Sequence, residues 1–250
     1  MDAEELFAKR ASSFGKQAAE YAEHRPDYPM PGIRWSLAGP GPDVHRVLDL
    51  AAGTGKLTDG LLTLGLEVIA VEPDPEMRGV LSTRFPEVMA LAGTAEEIPL
   101  PDSSVDAVLA GQAFHWFDTE RALTETARVL RPGGLLAALW NREDERVGWV
   151  AQLAALTSTG VTRSWNYEPD FPDHPAYSRF ERKVFPHSHR RTAESLTATI
   201  GTHSHTLVVA PAERATLLSA IRRFLDTAPE TAGREFDLPL RTTVIRARRS

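Results

Sequence analysis

Residues 44–140 alternate short apolar segments with polar or amphipathic ones, and this alternation constrains the fold more than any other feature of the chain. The apolar segments predict strands at Val47–Leu50, Glu67–Val71, Val88–Leu91, Val105–Ala110 and Leu135–Trp140. The segments between them predict helices at Lys56–Leu64, Pro75–Phe85 and Asp118–Leu130. Continuous apolar strands separated by helices indicate a parallel sheet covered on both faces. In such sheets a ligand binds beyond the carboxyl ends of the strands.

The flanking segments have a different character. Residues 1–24 read as helical, whereas the three prolines of Arg25–Gly32 should break any helix and impose extended or turn geometry. The aromatic and proline-rich stretch Trp165–Tyr177 predicts a long loop or lid. Later segments predict strands at Phe180–Phe185 and Leu240–Arg248, with a helix at Ala212–Ala228 between them.

Composition narrows the class of protein. The chain has 250 residues, 42% of them hydrophobic and 25% charged, which suits one globular domain with a sizeable core. Its net charge of −6 argues against a general nucleic-acid binder, and the lack of cysteine excludes disulfides, thiolate metal sites and cysteine nucleophiles. The charged N-terminus is no signal peptide, and no apolar run reaches the roughly 20 residues of a membrane helix. We therefore expect a soluble, cytoplasmic protein with neither a nucleic-acid nor a membrane partner.

The stretch VLDLAAGTGKLT places two glycines, Gly53 and Gly55, directly after the first strand and before a helix. A dinucleotide fingerprint would have its third glycine where Thr58 stands. A phosphate-binding P-loop would need Ser or Thr after Lys56, where the chain has Leu57. Neither pattern is complete, and a tight turn without a ligand remains an alternative.

The ends of the next two strands favour an adenosine ligand. Glu72 follows Gly53 by 19 positions, which suits an acid that accepts the ribose hydroxyls, although a solvated carboxylate is the alternative. After the third strand, Gly93 to Glu96 offer small side chains and backbone N–H groups for the edge of an adenine ring. A glycine cradle, a ribose acceptor and an adenine rim together describe an adenosine site.

Several stretches in this order resemble the class I S-adenosylmethionine-dependent methyltransferases, specifically the small-molecule subgroup called type 11. They are VLDLAAGTGKLT, VEPDPEM, GTAEEIPLPDSSVDAV, FHWFD and RVLRPGGLLAALW, with FGKQAAEYAEHRPDYP before them and PLRTTVIRARR after them. The resemblance implies an α/β, Rossmann-like doubly wound sheet of seven strands, mostly parallel with an antiparallel late strand. It also implies S-adenosyl-L-methionine as cofactor and S-adenosyl-L-homocysteine as product.

The resemblance further assigns cofactor contacts along the chain. The methionine end and ribose would meet Asp49, Ala51, Gly53, Gly55 and Gln112, with Glu72 on the ribose. The adenine would meet Pro73, Met77, Thr94, Ala95 and Glu96. The N-terminal segment would fold over the cofactor with Tyr21, Arg25 and Tyr28, and Arg25 would pair with the methionine carboxylate unless it is a plain surface residue.

Ala51 departs from the family pattern, which has a glycine at this position. Alanine adds one methyl group and disfavours positive φ. We expect the substitution to be tolerated on the assumption that this position need only allow close approach.

Methyl transfer from a sulfonium depends mainly on alignment, and a hydroxyl acceptor also needs a base to remove its proton. The candidate general base is His115, although it can instead cap the next helix, pack on Trp116 or contact the cofactor. Trp116 and Phe117 are expected in the pocket wall or core. Two H-x-H pairs, at residues 187 and 189 and at residues 203 and 205, make a metal conceivable, but no carboxylate pattern supports one and we expect none.

We interpret residues 1–250 as one domain, with an N-terminal lid at 1–35, a cofactor core at 44–141 and acceptor-pocket elements at 142–250. Its predicted function is methyl transfer to a small-molecule acceptor by a monomer or homodimer. Alternatives are a nicotinamide-dependent oxidoreductase, a regulatory protein that binds the cofactor without transfer, and a cyclase that uses the bound sulfonium.

Overall fold

The computed structural model describes residues 26–39, 41, 43–157, 170–201, 206 and 209–250. The chain divides into two compact units. The sheet unit comprises residues 27–141, 169–185 and 242–250, and the helical unit comprises residues 1–26, 142–168 and 186–241. The predicted helix over residues 1–24 lies outside the described residues. Within the described part of the chain, no helix is both long and apolar enough to span a bilayer.

The strands of the sheet are β1 (Arg46–Leu50), β2 (Glu67–Val71), β3 (Met89–Leu91), β4 (Val105–Gly111), β5 (Leu130–Glu143), β6 (Glu181–Arg191) and β7 (Phe236–Arg248). Their order in this seven-stranded sheet is β3-β2-β1-β4-β5-β7-β6, and β1 to β5 pair in parallel. The late strands are antiparallel, so the predicted fold class is confirmed. The chain order reverses between β1 and β4, and this switch point is where such sheets bind ligands.

The helices around the first five strands are α1 (Met30–Leu37), α2 (Lys56–Leu62), α3 (Pro75–Arg84) and α4 (Thr119–Val129), with a 3₁₀ turn at Phe114–Trp116. Alternate residues of the strands point to opposite faces, so Leu48 joins one apolar core and Val47 the other. Both faces are covered, which explains why the strands are apolar at nearly every position.

The helical unit contains α5 (Gly148–Thr157), α6 (Ala193–Gly201) and α7 (Pro211–Thr227). These helices share an apolar core with the first residues of β7, in which the Trp149 and Phe236 rings meet edge-on at 5.6 Å. The sequence pattern predicted only α7 among these helices.

Two differences from the predicted elements have clear causes. Helix α1 begins at Met30, inside the proline-rich stretch predicted to exclude a helix, because Pro31 lies in its first turn, where a missing N–H costs nothing. Strand β5 begins at Leu130 instead of Leu135 because Leu130 pairs with Val105 before a register shift. The start of the predicted Trp165–Tyr177 loop lies outside the described residues, and residues 170–176 show no helix.

Candidate functional site

The ends of β1, β2 and β4 bring the predicted site residues to one edge of the sheet. Asp49 pairs in register with Ala70 of β2 and with Leu109 of β4. We call residues 51–55, between β1 and α2, the glycine loop. The backbone N–H of Ala52 donates to the carbonyl of Val71, which holds this loop against the end of β2. The loop therefore starts at the switch point of the sheet, as the sequence predicted.

Asp49 is fully buried, with 0% of its surface exposed. Its Oδ2 accepts a hydrogen bond of 2.6 Å from the Thr58 hydroxyl, whereas its Oδ1 is buried without a partner. Burial raises the pKa of Asp49 from 3.8 to about 7, against the opposing effect of the Thr58 bond. An orphaned buried carboxylate oxygen is costly, so it indicates a ligand that supplies a donor or a positive charge.

Glu72 is 5% exposed and holds the glycine loop in place. Its Oε2 accepts a 2.8 Å bond from the Gly53 N–H, and its Oε1 accepts a 2.9 Å bond from the Asp74 N–H. Burial raises the pKa of Glu72, although these two bonds oppose the effect. Each carboxylate oxygen has a second lone pair, so hydroxyl donors can still bind. Glu72 thus has a structural role in this loop, and its predicted ribose contact stays a prediction.

The glycine loop is built from left-handed residues. Gly53 and Gly55 have φ values of +58° and +86°, and a Cβ on Gly55 would lie 2.6 Å from the Phe85 ring. Ala51 also has a positive φ, +53°. The expectation that this position need only allow close approach is therefore wrong: its backbone adopts the conformation that favours glycine.

Thr54, between the two glycines, was missed by the sequence reasoning. It is 1% exposed and its hydroxyl is buried without a partner, while its carbonyl accepts a 2.7 Å bond from Arg84. Together with the Asp49 Oδ1 on β1, its hydroxyl is one of two orphaned polar groups near this strand end among the described residues. The sequence signal that could have identified Thr54 as a candidate site residue was its position as a small polar residue between two glycines.

The predicted adenine residues lie after β2 and β3. Met77 is buried, with its sulfur 3.8 Å from where a Cβ on Gly53 would stand, whereas Pro73 and Thr94 are exposed. Ala95 is buried, and the Glu96 Oε1 accepts a 2.9 Å bond from the Asp118 N–H. One oxygen of Glu96 is thereby engaged at the start of α4, which leaves the other for a ligand.

Gln112 follows β4 with a φ of +55°, which is strained for a residue other than glycine. Its Nε2 donates a 2.8 Å bond to the carbonyl of Asn141. The Asn141 side chain donates to the Asp27 carbonyl at 3.2 Å and accepts from the Thr242 hydroxyl at 2.5 Å. The sequence reasoning did not find Asn141, Asp27 or Thr242, because this network joins residues distant in sequence.

The residues just before α1 approach the same edge. The Tyr28 hydroxyl lies 2.5 Å from where a Cβ on Gly111 would stand, so β4 must end in glycine for Tyr28 to pack there. The Lys56 ammonium bonds to the Asp27 carboxylate at 2.9 Å. Tyr21 and Arg25 lie outside the described residues, and their predicted contacts stay predictions.

His115 lies in the 3₁₀ turn after β4, half-buried, with its ring 4.9 Å from that of Trp116. Phe117 packs on Phe114, consistent with the expected wall or core role. His187 and His189 lie on β6, and the second histidine pair lies outside the described residues. Among the described residues no three His, Asp or Glu side chains are grouped so as to hold a metal.

Comparison with known proteins adds independent findings. A family model described as a methyltransferase domain matches residues 48–138. An uncharacterized methyltransferase from Mycobacterium tuberculosis is 41% identical over 237 residues, which cover 94% of this chain and 95% of that protein. A protein described as a type II methyltransferase from Anaeromyxobacter dehalogenans has a TM-score of 0.63 at 28% identity, covering 90% of this chain and 97% of that one. Haemonchus contortus phosphoethanolamine N-methyltransferase 2, in complex with S-adenosylhomocysteine, shares the fold, with a TM-score of 0.51 at 15% identity over 88% of this chain and 52% of that one.

Proposed function

The chain belongs to the class I methyltransferase family, and from this premise we propose that it uses S-adenosylmethionine to methylate a small organic acceptor. The observation that carries the proposal is the pair of buried carboxylates at neighbouring strand ends. Asp49 keeps an orphaned oxygen, and Glu72 holds the glycine loop beside it.

The described residues fit this cofactor. S-adenosylmethionine carries two positive charges, on its sulfonium and its ammonium, and a ribose with two hydroxyl donors. Two buried acids suit these donors and charges. Glu72 would take the ribose, with Asp49, Ala51, Gly53, Gly55 and Gln112 along the ribose and methionine end. Pro73, Met77, Thr94, Ala95 and Glu96 would surround the adenine, and Tyr21 and Arg25 would close over the cofactor from the N-terminal lid.

When bound, the cofactor supplies an electrophilic methyl group. The residues of the chain would orient the acceptor and exclude water, since alignment is the main requirement of such a displacement. His115 would take the proton of a hydroxyl acceptor, because an imidazole titrates near neutral pH and this one lies just after β4. An acceptor that attacks through a neutral amine or an enolate would not need this base for attack.

The alternatives predict different ligands and products. A nicotinamide-dependent oxidoreductase would also use a ribose acid, but Thr58 of α2 stands where its fingerprint has the third glycine. A regulatory protein would bind S-adenosylmethionine without turnover. A cyclase would leave a product without the added methyl group, which the product mass distinguishes.

Calorimetric titration with S-adenosylmethionine and S-adenosylhomocysteine tests the proposal on the parent and on Glu72→Ala. We expect the parent to bind both, and Glu72→Ala to lose roughly 1.5–3 kcal/mol of binding free energy with a charged hydrogen-bond acceptor. Glu67→Ala is the matched control, since Glu67 is an acid at the first residue of β2, at the opposite end of the strand that Glu72 follows, and pairs with Arg46. A folded parent that binds neither compound, or binds nicotinamide nucleotides instead, would refute the proposal.

We also propose which segments surround the acceptor, in which compartment the enzyme works and in which oligomeric state. Residues 1–35 and 142–250 would surround the acceptor, because irregular segments beside a rigid scaffold commonly carry specificity. We propose that it works in the cytoplasm as a monomer or homodimer. Light scattering of the full chain, with and without S-adenosylhomocysteine, tests the oligomeric state.

A further inference from the structure

The loop between β3 and β4, residues 92–104, is held by α4 at both ends of that helix. At the start of α4, Glu96 accepts the backbone N–H of Asp118 at 2.9 Å. At its last turn, Arg128 and Glu125 contact the loop around Ile98 and Leu100. The loop follows β3 directly and includes residues 94–96, to which the proposed function assigns the adenine.

Arg128 reaches three positions of this loop with one guanidinium. Its Nη2 donates to the Ile98 carbonyl at 2.9 Å, and its Nη1 donates at 2.8 Å to both the Leu100 carbonyl and the Asp102 carboxylate. Pro99 and Pro101 have no N–H group, so this stretch has few backbone donors and is anchored in part through its carbonyls. The planar guanidinium of arginine has five N–H donors and can bond to all three acceptors at once, whereas the ammonium of lysine cannot.

Glu125, on the same helix, also contacts the loop, and we call Arg128 and Glu125 together the clamp. Its two carboxylate oxygens each accept a 2.8 Å bond from Arg128, which fixes the plane of the guanidinium. Its Oε2 also accepts the Ile98 N–H at 3.1 Å, and these bonds hold the pKa of Glu125 below its ordinary value. Both the N–H and the carbonyl of Ile98 are therefore tied to α4, while its side chain and that of Ala95 are buried in one core.

We propose that Arg128 is a positioning residue that sets the cofactor's purine specificity, because it fixes the loop that presents Ala95 and Glu96 to the adenine edge. This inference rests on the proposed function. The free oxygen of Glu96 can accept the 6-amino group of adenine but repels a 6-oxo group. Without Arg128 the loop would lose its attachments at Ile98, Leu100 and Asp102, and the single bond from the Asp118 N–H to Glu96 would no longer fix the distance of the free oxygen from the purine, so the discrimination would fall.

The test measures the ratio of the Kd for S-inosylhomocysteine to the Kd for S-adenosylhomocysteine in the parent and in Arg128→Ala. These compounds differ at position 6 of the purine. We expect the parent to prefer the adenosyl compound and Arg128→Ala to lower the ratio at least tenfold. Arg128→Lys should fall between them, because one ammonium cannot span the three acceptors.

Arg131→Ala is the matched control. Arg131 pairs with Asp106 at the start of β4, the opposite edge of the sheet, and is also partly exposed. It should leave the ratio at the parent value even if stability drops. If Arg128→Ala does not fold, Glu125→Gln replaces it, because this change keeps the side-chain shape and removes one acceptor of the clamp.

The outcomes separate the two proposals. A parent that binds neither compound refutes the proposed function itself. A parent that binds both equally, or an Arg128→Ala variant that weakens both by the same factor, overturns the positioning role and leaves the proposed function standing. A reduced ratio in Arg128→Ala with an unchanged ratio in Arg131→Ala supports it.

Discussion

At the scale of one residue, the burial of Asp49 lowers the stability of the folded chain. Its side chain is fully buried, one oxygen has no partner, and burial raises its pKa to about 7. The chain retains this acid in its core although an amide or an apolar residue would be easier to bury. Such a cost is typical of residues selected for ligand contact.

The raised pKa predicts how stability depends on pH. The unfolded chain ionises Asp49 near 3.8, whereas the folded protein does so near 7, so between these values the unfolded state binds fewer protons. Stability contributed by Asp49 is therefore full below pH 4, falls by on the order of 4 kcal/mol up to pH 7, and is constant above it. Asp49→Asn should remove this slope.

Urea unfolding of the parent and Asp49→Asn between pH 4 and 8 checks this expectation. The difference between the two unfolding free energies should shift in favour of the variant as the pH rises, whatever constant offset the amide introduces. Asp59→Asn is the control, because Asp59 is an exposed acid on the following helix. Parallel pH profiles of unfolding free energy for the parent and Asp49→Asn would contradict the raised pKa of Asp49 in the folded protein.

The backbone conformation at position 51 is less favourable for alanine than it would be for glycine. Its φ of +53° lies in the left-handed region, which disfavours alanine by about 1–2 kcal/mol, partly offset by the greater flexibility of unfolded glycine. Ala51→Gly should raise the free energy of unfolding by about 1 kcal/mol. Ala52→Gly, at an ordinary φ in the same loop, should lower it, and equal effects of the two changes would show that φ at Ala51 is not limiting.

At the scale of elements, the end of β4 and the segment before α1 are fitted to each other. Gly111 leaves room for Tyr28, whose hydroxyl and ring carbon would lie 2.5 and 2.8 Å from an added methyl group. Gly111→Ala should therefore cost about 1–3 kcal/mol of stability through overpacking.

A double-mutant cycle with Tyr28→Ala isolates this contact. If the clash with Tyr28 is the cause, Gly111→Ala should cost much less in the Tyr28→Ala background, with a coupling energy above about 0.5 kcal/mol. Additive effects would place the cost of Gly111→Ala elsewhere. Gly79→Ala is a suitable control, since an added methyl group there meets no atom within 4 Å.

At the scale of the whole molecule, the proposed cofactor contacts among the described residues lie in the sheet unit. S-adenosylhomocysteine at 100 times its Kd should stabilise the folded state of that unit by about 2.7 kcal/mol. Hydrogen exchange should therefore slow for the amides of β1, β2 and β4 on addition of the compound. Slower exchange confined to α6 and α7 would contradict this placement of the site.

Much of this protein followed from the amino-acid sequence alone. The strand positions, the switch point and the placement of Asp49 and Glu72 at the sheet edge depend on local patterns, because a buried parallel strand must be apolar and the loop that follows it is built from small residues. The family was likewise recognised from short motifs, and the comparisons confirm it. Boundaries were less accurate where pairing decided them, as at Leu130 of β5.

Only the tertiary structure decided how distant residues meet. The network of Gln112, Asn141 and Thr242, the clamp of Arg128 on Ile98, and the contact of Tyr28 with Gly111 join residues separated by 29 to 101 positions. No local pattern encodes such pairs, since the sheet order and the packing of α4 must exist before these groups are close. The positive φ of Ala51 belongs to the same class, because the surrounding strands impose it against the preference of alanine.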